Sequence, residues 1–381
     1  MHRIVFVSLL LVCTVSASDW PQFRGPQACG VDTNAPAPVR WNIEKGENVL
    51  WRTPIPGLAH SSPILWGERL YVTTAVQAEK PELKVGLYGD IEPVGQEGVQ
   101  QWRLLALGKK TGKILWNTLG HENLPRSQRH PKATHCNSTP ATDGACIVTI
   151  FGSEGLAAFT MEGKPLWKKD LGPMDAGYYL SPTAQWGFGS SPVIHRGKVV
   201  VLCDVQTNSF IAMFDALNGT ELWRTPRKDV PTWGTPTVVE AGQQTQILVN
   251  GWHHTGAYDF ATGKEIWKLD GGGDIPVPTP IVANNFAYFT SGHGRFRPMR
   301  AIRLEARGNI TPPDPGATNA AIVWAHARAG NYMETPILVG ENVYACLDLG
   351  QPRDIAGFRT FPGRSLWPEV VVSDPPRSTL G

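Results

Sequence analysis

The sequence predicts an all-β fold built from repeated four-stranded antiparallel units, and three observations lead to that class. A tryptophan recurs with a period of about fifty residues, which is typical of repeat folds. A small residue followed by proline and mostly aliphatic residues recurs six times. The 40 glycines, 32 prolines and 14 tryptophans combine turn formers with large side chains that favour strands. We therefore expect the 381 residues to form one large repeat domain rather than two domains.

The proline phrase opens each unit. Its six copies contain Pro63, Pro140, Pro192, Pro236, Pro280 and Pro336. Proline cannot donate to a ladder of hydrogen bonds, so it belongs at the start of a strand or on an edge. A polar turn, a β-rich run and a third strand follow each copy, which predicts a four-stranded meander. Because one small twisted sheet cannot bury both of its faces, we expect the units to stack in a ring, as the blades of a β-propeller.

The tryptophan phrase closes each unit. Its clearest copies end at Trp116, Trp167, Trp223 and Trp267, each with a glycine four residues earlier, at Gly112, Gly163, Gly219 and Gly263. Weaker copies end at Trp324 and Trp367, and Trp51 precedes the first full unit. A tight turn commonly requires positive φ, which glycine adopts without steric cost. The fixed position of the tryptophans favours packing between blades over stacking on a ligand.

One copy of this phrase carries a resemblance to a known family. The run Ala257-Tyr-Asp259-Phe-Ala-Thr262-Gly263-Lys264-Glu-Ile-Trp267 resembles the repeat of the pyrroloquinoline quinone (PQQ)-like β-propeller superfamily, and the likeness extends over residues 48–348. The resemblance implies seven or eight blades. The superfamily includes quinoprotein dehydrogenases and the non-enzymatic lipoprotein of the outer-membrane β-barrel assembly machinery. The motif is therefore specific for the fold and says little about function.

The first residues have the pattern of a secretory signal peptide at 1–17. His2 and Arg3 precede an apolar run, and small residues end at Ala17, where we expect cleavage. The interpretation places the mature protein in the periplasm or outside the cell. The apolar run is too short to span a bilayer, and no later segment is long enough. Lipidation at Cys13 is disfavoured, because Val12 stands where a small residue is expected.

Residues 18–47 are expected to be an N-terminal extension, 48–348 the propeller, and 349–381 a degenerate or non-native tail. Trp51 is surplus to the six units, and propellers often use such a strand to complete the last blade. Its partner strands should then follow Trp367, where the chain turns to proline, arginine and glycine. A truncated or frame-shifted C-terminus and a degenerate sixth blade are the two explanations left open.

Charge and cysteines limit the function classes. The net charge of +2 with scattered basic residues gives no case for nucleic acid or an anionic membrane. Five cysteines follow the leader, namely Cys29, Cys136, Cys146, Cys203 and Cys346. Their odd number leaves at least one thiol unpaired. We expect small buried core residues, with Cys136 and Cys146 as the one close pair worth testing for a disulfide.

Catalytic chemistry has weak support in the sequence. The resemblance to quinoprotein dehydrogenases would require a flat quinone, calcium beside it and an aspartate base, and those enzymes commonly add a vicinal disulfide. Here no cysteines are adjacent and no cluster of oxygen ligands stands out. We therefore expect no bound cofactor, with PQQ and calcium as the alternative. His121, His130, His135, His253 and His254 are expected to make loop hydrogen bonds rather than to hold a metal, and Glu154 to be a solvated loop charge.

A candidate ligand face comes from the connections between blades. In a propeller, the loops from one outer strand to the next inner strand gather at one face, and the long ones here span 117–137 and 172–189. They and a shorter loop contain the candidate residues Arg126, Arg129, His130, His135, Tyr178, Tyr179, Trp186 and Trp233. Such aromatic and cationic side chains suit a peptide, a glycan or a small acid. The alternative is that they cap the channel and order the loops.

The sequence thus predicts an exported, monomeric binding or scaffold module for an envelope protein, a glycan or a small ligand, leaning away from catalysis. Two alternatives remain open at this stage. One is a periplasmic PQQ-dependent dehydrogenase, and the other is a carbohydrate-binding or carbohydrate-active propeller.

Overall fold

The computed structural model describes residues 19–32, 37–78, 92–293 and 296–347 and the backbone of 354–359. The expected signal peptide at 1–17, Cys13 and Trp367 lie outside these residues, as does most of the expected tail. Among the described helices, none is long and apolar enough to cross a membrane.

The described strands form six sheets of the repeat and one small hairpin. The first sheet contains β1 (Ile64–Trp66), β2 (Arg69–Gln77), β3 (Gln100–Gly108) and β4 (Ile114–Asn123). The second contains β5 (Ala141–Thr142), β6 (Ile147–Ile150), β7 (Leu156–Phe159) and β8 (Pro165–Lys169), and a hairpin of β9 (Gly177–Tyr178) and β10 (Ser181–Gln185) follows it. The third contains β11 (Val193–His195), β12 (Lys198–Cys203), β13 (Phe210–Asp215) and β14 (Glu221–Pro226).

The fourth sheet contains β15 (Thr237–Ala241), β16 (Gln244–Val249), β17 (Thr255–Asp259) and β18 (Glu265–Leu269). The fifth contains β19 (Ile281–Ala283), β20 (Phe286–Thr290), β21 (Met299–Arg303) and β23 (Ile322–His326), and the short β22 (Gly308–Asn309) pairs in parallel with β18. The sixth contains β24 (Ile337–Val339), β25 (Asn342–Leu347) and β26 (Asp354–Arg359). Two short 3-10 helices span Pro26–Ala28 and Gly152–Glu154.

The predicted meander is confirmed. Within each of the six sheets the strands pair antiparallel in chain order, and the first strand begins directly after the proline of its phrase. Proline suits this place because its missing N–H would lie before the ladder starts. First strands of neighbouring sheets contact one another, from β5 to β11 to β15 and from β19 to β24. These strands therefore surround a common axis, as the blades of a β-propeller do.

A ladder of hydroxyl groups joins neighbouring blades near this axis. At four of the six prolines, the hydroxyl of the preceding residue accepts a hydrogen bond from the backbone N–H of the matching residue one blade earlier. The donor and acceptor pairs are Ser62 to Thr139 (2.9 Å), Thr139 to Ser191 (3.0 Å), Ser191 to Thr235 (3.1 Å) and Thr279 to Thr335 (3.0 Å). The ladder explains why serine or threonine stands before these prolines, since a buried N–H needs a partner.

The tryptophans join the blades at the outer edge. A Cβ at Gly163, Gly219 or Gly263 would lie 2.4–2.7 Å from the indole ring one blade earlier, and all three glycines have positive φ. The rings belong to Trp116, Trp167 and Trp223 in that order. Only a residue without a side chain lets the ring lie flat on the turn. The expected packing between blades is thus observed, with the ring of one blade on the turn of the next.

Trp51 makes the same contact on the first sheet. Its ring covers Gly112, its Nε1 donates to the carbonyl oxygen of Lys109 at 2.8 Å, and the hydroxyl of Thr53 donates to that of Gly112 at 2.6 Å. Trp223 and Thr225 repeat these bonds with Phe260 (3.1 Å) and Gly263 (2.6 Å). Trp51 therefore stands where a preceding blade would place its outer tryptophan.

Two element boundaries differ from the expectation. β4 continues to Asn123 because it pairs with β3 as far as Gln100, so the loop expected from residue 117 begins at residue 124. β26 pairs with β25 over six residues from 354 to 359. The sixth sheet thus has a third strand within the segment expected to be a tail.

Residues 19–30, here called the axial segment, cross the space between the first strands. Trp20 exchanges two backbone hydrogen bonds with Leu65 of β1, at 2.8 and 2.9 Å. The amide of Thr142 in β5 donates to the carbonyl oxygen of Pro21 at 2.8 Å. Arg24 Nη2 donates to the carbonyl oxygen of Pro336 at 2.9 Å, and the helix Pro26–Ala28 contacts β15. The extension thus ties the first, second, fourth and sixth sheets together.

The cysteines follow the core. Cys136, Cys146 and Cys203 are buried. Cys136 and Cys146 are free thiols, so the pairing considered between them is wrong. They lie in different cores, Cys136 with Trp102 of the first sheet and Cys146 with Cys203 of the third. Burial raises the pKa of the Cys136 and Cys146 thiols to about 12, which keeps both neutral.

Candidate ligand-binding face

Aromatic side chains collect on the face formed by the loops between sheets and the loops between second and third strands. We call this the loop face, and its ring cluster the aromatic surface. Its members are His130, Tyr178, Tyr179, Trp186, Trp233, Trp252, His253, His293 and Tyr332. They come from six loops, and most are half-buried. The surface is therefore assembled from loops spread between residues 130 and 332.

Trp186 lies at the centre of the aromatic surface. Its ring stacks on Tyr178 with centroids 5.3 Å apart and planes 6° apart. It also contacts Trp233 at 5.6 Å and the edge of His130 at 6.3 Å. Trp233 is fixed in turn, because its Nε1 donates to the carbonyl oxygen of Gly187 at 2.8 Å. Tyr178 ends β9 and Trp186 directly follows β10, and the pairing of these two strands brings the two rings together.

The second half of the surface lies around Tyr179 and Tyr178. Tyr179 packs edge-on against Trp252 with centroids 4.4 Å apart, and Trp252 stacks on His253 at 4.6 Å. Tyr178 meets His293 at 6.2 Å, and His293 meets Tyr332 at 5.4 Å. Five of the eight candidate residues, His130, Tyr178, Tyr179, Trp186 and Trp233, thus belong to one surface. Sequence reasoning missed the other four members as site residues.

Arg129 and His135 are not part of the aromatic surface. Arg129 is buried and forms a two-pronged salt bridge with Glu97, at 2.8 and 2.9 Å. His135 Nε2 lies 2.7 Å from the same carboxylate. Burial alone would raise the pKa of Glu97, but hydrogen bonds from His135 and Arg129 outweigh it and hold the pKa at about 2. These groups anchor the loop that carries His130 to the connection between β2 and β3, which contains Glu97.

This anchor predicts a loss of stability in acid. The pKa of Glu97 is lowered from 4.5 to about 2, so its contribution is complete above pH 4.5 and is lost as the pH falls towards 2. The shift corresponds to about 3 kcal/mol, of which about 2 kcal/mol is lost by pH 3. Urea unfolding of the native protein and of Glu97→Gln should show a stability difference that shrinks by this amount between pH 7 and pH 3. An unchanged difference would contradict the anchoring role.

Arg126 and Glu154 form a neighbouring polar group. Arg126 is exposed and pairs with Asp170 at 2.9 Å, while its backbone N–H donates to Glu154 at 2.9 Å. Glu154 is buried and lies 3.0 Å from His121 Nε2, so the expectation of a solvated loop charge is wrong. The Glu154 carboxylate can be buried because β4 and the loop that follows it provide its hydrogen-bond partners. Burial and the nearby Lys168 lower the pKa of His121.

A buried ion pair supports the loop of Trp252. The side chains of Arg227 and Asp204 are fully buried, and two hydrogen bonds of 2.7 and 3.0 Å join them. Asp229 lies beside them and accepts from the backbone N–H groups of Trp252, His253 and His254, each at 3.1 Å. The carboxylate of Asp229 thus holds the backbone that presents two rings of the aromatic surface.

Asp274 is the carboxylate within the aromatic surface. Its Oδ2 lies 2.9 Å from His293 Nδ1 and 3.4 Å from the Tyr178 hydroxyl, while its Oδ1 is buried and has no hydrogen-bond partner among the described residues. The hydroxyl of Ser291 donates to the Asp274 carbonyl oxygen at 2.7 Å. At the preceding Gly272, a Cβ would lie 1.7 Å from the Gly251 carbonyl oxygen. The backbone that leads to Asp274 therefore packs too closely on its neighbour to admit a side chain at residue 272, and this packing fixes the position of Asp274.

The donor set does not fit calcium beside a quinone. In the part of the chain that the structure describes, no group of three His, Cys, Asp or Glu residues could hold a metal ion. Asp204 is bound by Arg227 and Glu97 by Arg129, whereas calcium takes six to eight oxygen ligands. The axial segment also fills space between the first strands. We therefore derive no step through PQQ.

A groove at the rim of the loop face adds an apolar feature. It has a volume of about 380 Å³ and lies between the second and third sheets. Its lining includes Leu171, Pro173, Val205, Asn208, Phe210 and Arg224. The Arg224 guanidinium covers the Phe210 ring at 3.9 Å.

Comparison with known proteins identifies the family of this chain. The sequence matches the family described as outer membrane protein assembly factor BamB over residues 31–207 and 207–380. The chain belongs to this family. Among curated proteins, none matches the chain by sequence. The match agrees with the PQQ-like resemblance drawn from the repeats.

Solved structures give the fold alone. A europium-containing methanol dehydrogenase has a TM-score of 0.52 at 11% identity, covering 91% of this chain and 74% of that one. BamB from Moraxella catarrhalis has a TM-score of 0.47 at 14% identity, covering 72% and 73%. The quinohemoprotein alcohol dehydrogenase from Comamonas testosteroni has a TM-score of 0.40 at 10% identity, covering 91% and 72%. The first of these likenesses supports the propeller fold.

Proposed function

We propose that this protein is a non-catalytic binding module that holds a segment of a partner protein on its aromatic surface. The observation that carries the proposal is the continuous cluster of nine rings, gathered on one face from six loops and left partly open to solvent. Rigid aromatic side chains provide large contact area at low cost in conformational entropy, and they dominate binding energy at protein interfaces.

Three further observations support a protein partner. The family is described by a role in outer membrane protein assembly, which is work on other proteins. The groove of about 380 Å³ at the rim could take an apolar side chain from a bound segment. The anchors at Glu97 and Asp229 hold the loops in place before binding, which lowers the entropic cost of association. We place the protein in the periplasm or outside the cell, on the pattern of its first 17 residues.

The test compares the native protein with Trp186→Ala and Tyr178→Ala variants. Crosslinked capture from envelope extract identifies a partner, which is then purified for affinity measurement by calorimetry. Removal of Trp186 should weaken binding by about 30-fold, the effect of losing about 2 kcal/mol at an interface centre. Leu222→Ala, an exposed change on β14, should leave the affinity within about twofold.

Two results would overturn the proposal. One is a purified partner that binds the Trp186→Ala and Tyr178→Ala variants as tightly as the native protein. The other is a glycan array in which the native protein binds a sugar and both variants lose that binding. The second result would assign the aromatic surface to carbohydrate.

A further inference from the structure

The Asp274 site is the part of the aromatic surface that contains a carboxylate. We define it as Asp274 with the rings of Tyr178, His293 and Tyr332. The ring of His293 packs against both tyrosine rings, with centroids 6.2 Å from Tyr178 and 5.4 Å from Tyr332. The side chain of Asp274 is 16% exposed and that of His293 is 37% exposed, so the site opens to solvent.

Among the described residues, no lysine or arginine side chain pairs with the Asp274 carboxylate. Its one ion-pair partner is His293, whose ring carries a charge only when protonated. The buried Arg300 guanidinium lies near this loop, but it donates to the carbonyl oxygens of Gly271 and Pro315, both at 2.7 Å. A buried carboxylate oxygen without a donor costs free energy, which a bound donor would recover.

The aromatic rings favour the same kind of ligand. The faces of tyrosine and tryptophan rings carry partial negative charge and attract cations within about 6 Å. Burial, followed by the charge of Asp274, raises the pKa of the Tyr178, Tyr179 and Tyr332 hydroxyls, and that of Tyr179 to about 12. These phenols therefore stay neutral, and the attraction of their ring faces for a cation comes from the π system alone. The site combines a carboxylate with ring faces, which is the chemistry of an aromatic cage for an organic cation.

We infer that the Asp274 site binds an alkylammonium or guanidinium group, as carried by a lysine or arginine side chain. The cation would pair with the charge of the Asp274 carboxylate, whose side chain is 16% exposed, and lie against Tyr178 and Tyr332. This inference rests on the proposed function, because the bound segment of a partner protein would supply the basic side chain. A free small alkylammonium is the other source of the same chemistry.

The experiment measures binding of three probes to the full chain by calorimetry. The probes are a capped Gly-Lys-Gly peptide, the matched peptide with norleucine in place of lysine, and tetramethylammonium chloride. We expect the lysine peptide to bind at least tenfold more tightly than the norleucine peptide. Asp274→Asn should weaken the lysine peptide at least tenfold. Asp270→Asn removes an exposed carboxylate of the same loop and should leave its affinity within twofold.

The possible outcomes distinguish failure of the cation site from failure of the proposed function. Equal affinity of the lysine and norleucine peptides, or no binding of either, overturns the cation site. This comparison uses only the native protein, so it holds even if Asp274→Asn fails to fold. Tighter binding of tetramethylammonium than of the lysine peptide supports the cation site and assigns it to a free alkylammonium. If charge discrimination is absent while the purified partner still depends on Trp186, the inference fails and the proposed function stands.

Discussion

Arg227→Met should unfold more easily than the native protein by about 3–5 kcal/mol, the usual cost of breaking a buried ion pair by removing one partner. The guanidinium donates to Asp204, to the Tyr258 hydroxyl at 2.6 Å and to the His254 carbonyl oxygen at 2.7 Å. Without it, Asp204 would keep the Thr232 hydroxyl at 2.9 Å as a donor. Urea unfolding monitored by tryptophan fluorescence gives the free energy of unfolding.

Arg224→Met provides the matched control for this change. Arg224 also forms a two-pronged pair, with Glu221 at 2.7 and 3.0 Å, but both side chains are more than a third exposed. Solvent-exposed pairs contribute at most about 1 kcal/mol. Adding Asp204→Asn to Arg227→Met should recover part of the stability, because the carboxylate that lost its two-pronged partner is then neutral, while Asp229 keeps its three backbone donors. Equal losses for Arg227→Met and Arg224→Met would show that the buried pair does not stabilise the fold.

Trp223→Ala should lower the free energy of unfolding by about 3 kcal/mol, the lower end for a large aromatic residue because this ring is only half-buried. The change removes the ring that covers Gly263 and the hydrogen bond to Phe260. Leu222→Ala alters the neighbouring residue of β14, which is 45% exposed, and should change stability by less than about 0.5 kcal/mol. Thermal and urea unfolding of both variants test this difference.

The same pair of variants tests the role of the recurring tryptophans. Trp223→Ala should leave partner affinity unchanged under conditions where the protein is folded, because the ring lies at the outer edge of a blade. A loss of affinity without a loss of stability would instead indicate that the outer tryptophans contact the ligand.

The repeat was predictable from the sequence because its contacts recur at fixed positions. The proline before each first strand and the glycine before each tryptophan both depend on backbone geometry within a few residues. The structure also explains why the same residue types recur next to these prolines. Serine or threonine before proline supplies the acceptor for the N–H of the preceding blade, as Thr139 does for Ser62.

The candidate site was predictable in part, because loops between blades must share a face. Which side chains meet depends on contacts between distant residues. Tyr178 and Asp274 are 96 residues apart, and Arg129 and Glu97 are 32 apart. No local pattern distinguishes Glu97 or Asp274 from other loop carboxylates. The sequence did contain one signal, at Trp252 and His253. These adjacent aromatic residues stand in a loop that opens on the same face.

The hydroxyl ladder makes the contact between blades directional. At the junctions of the ladder, one blade offers an N–H and the next offers a hydroxyl, and the tryptophan and its turn glycine follow the same head-to-tail order. Copies that meet at such a junction therefore join through the same contacts. Gain or loss of a whole repeat there by gene duplication would preserve those contacts, so blade number can change in evolution while the way in which these blades join stays constant.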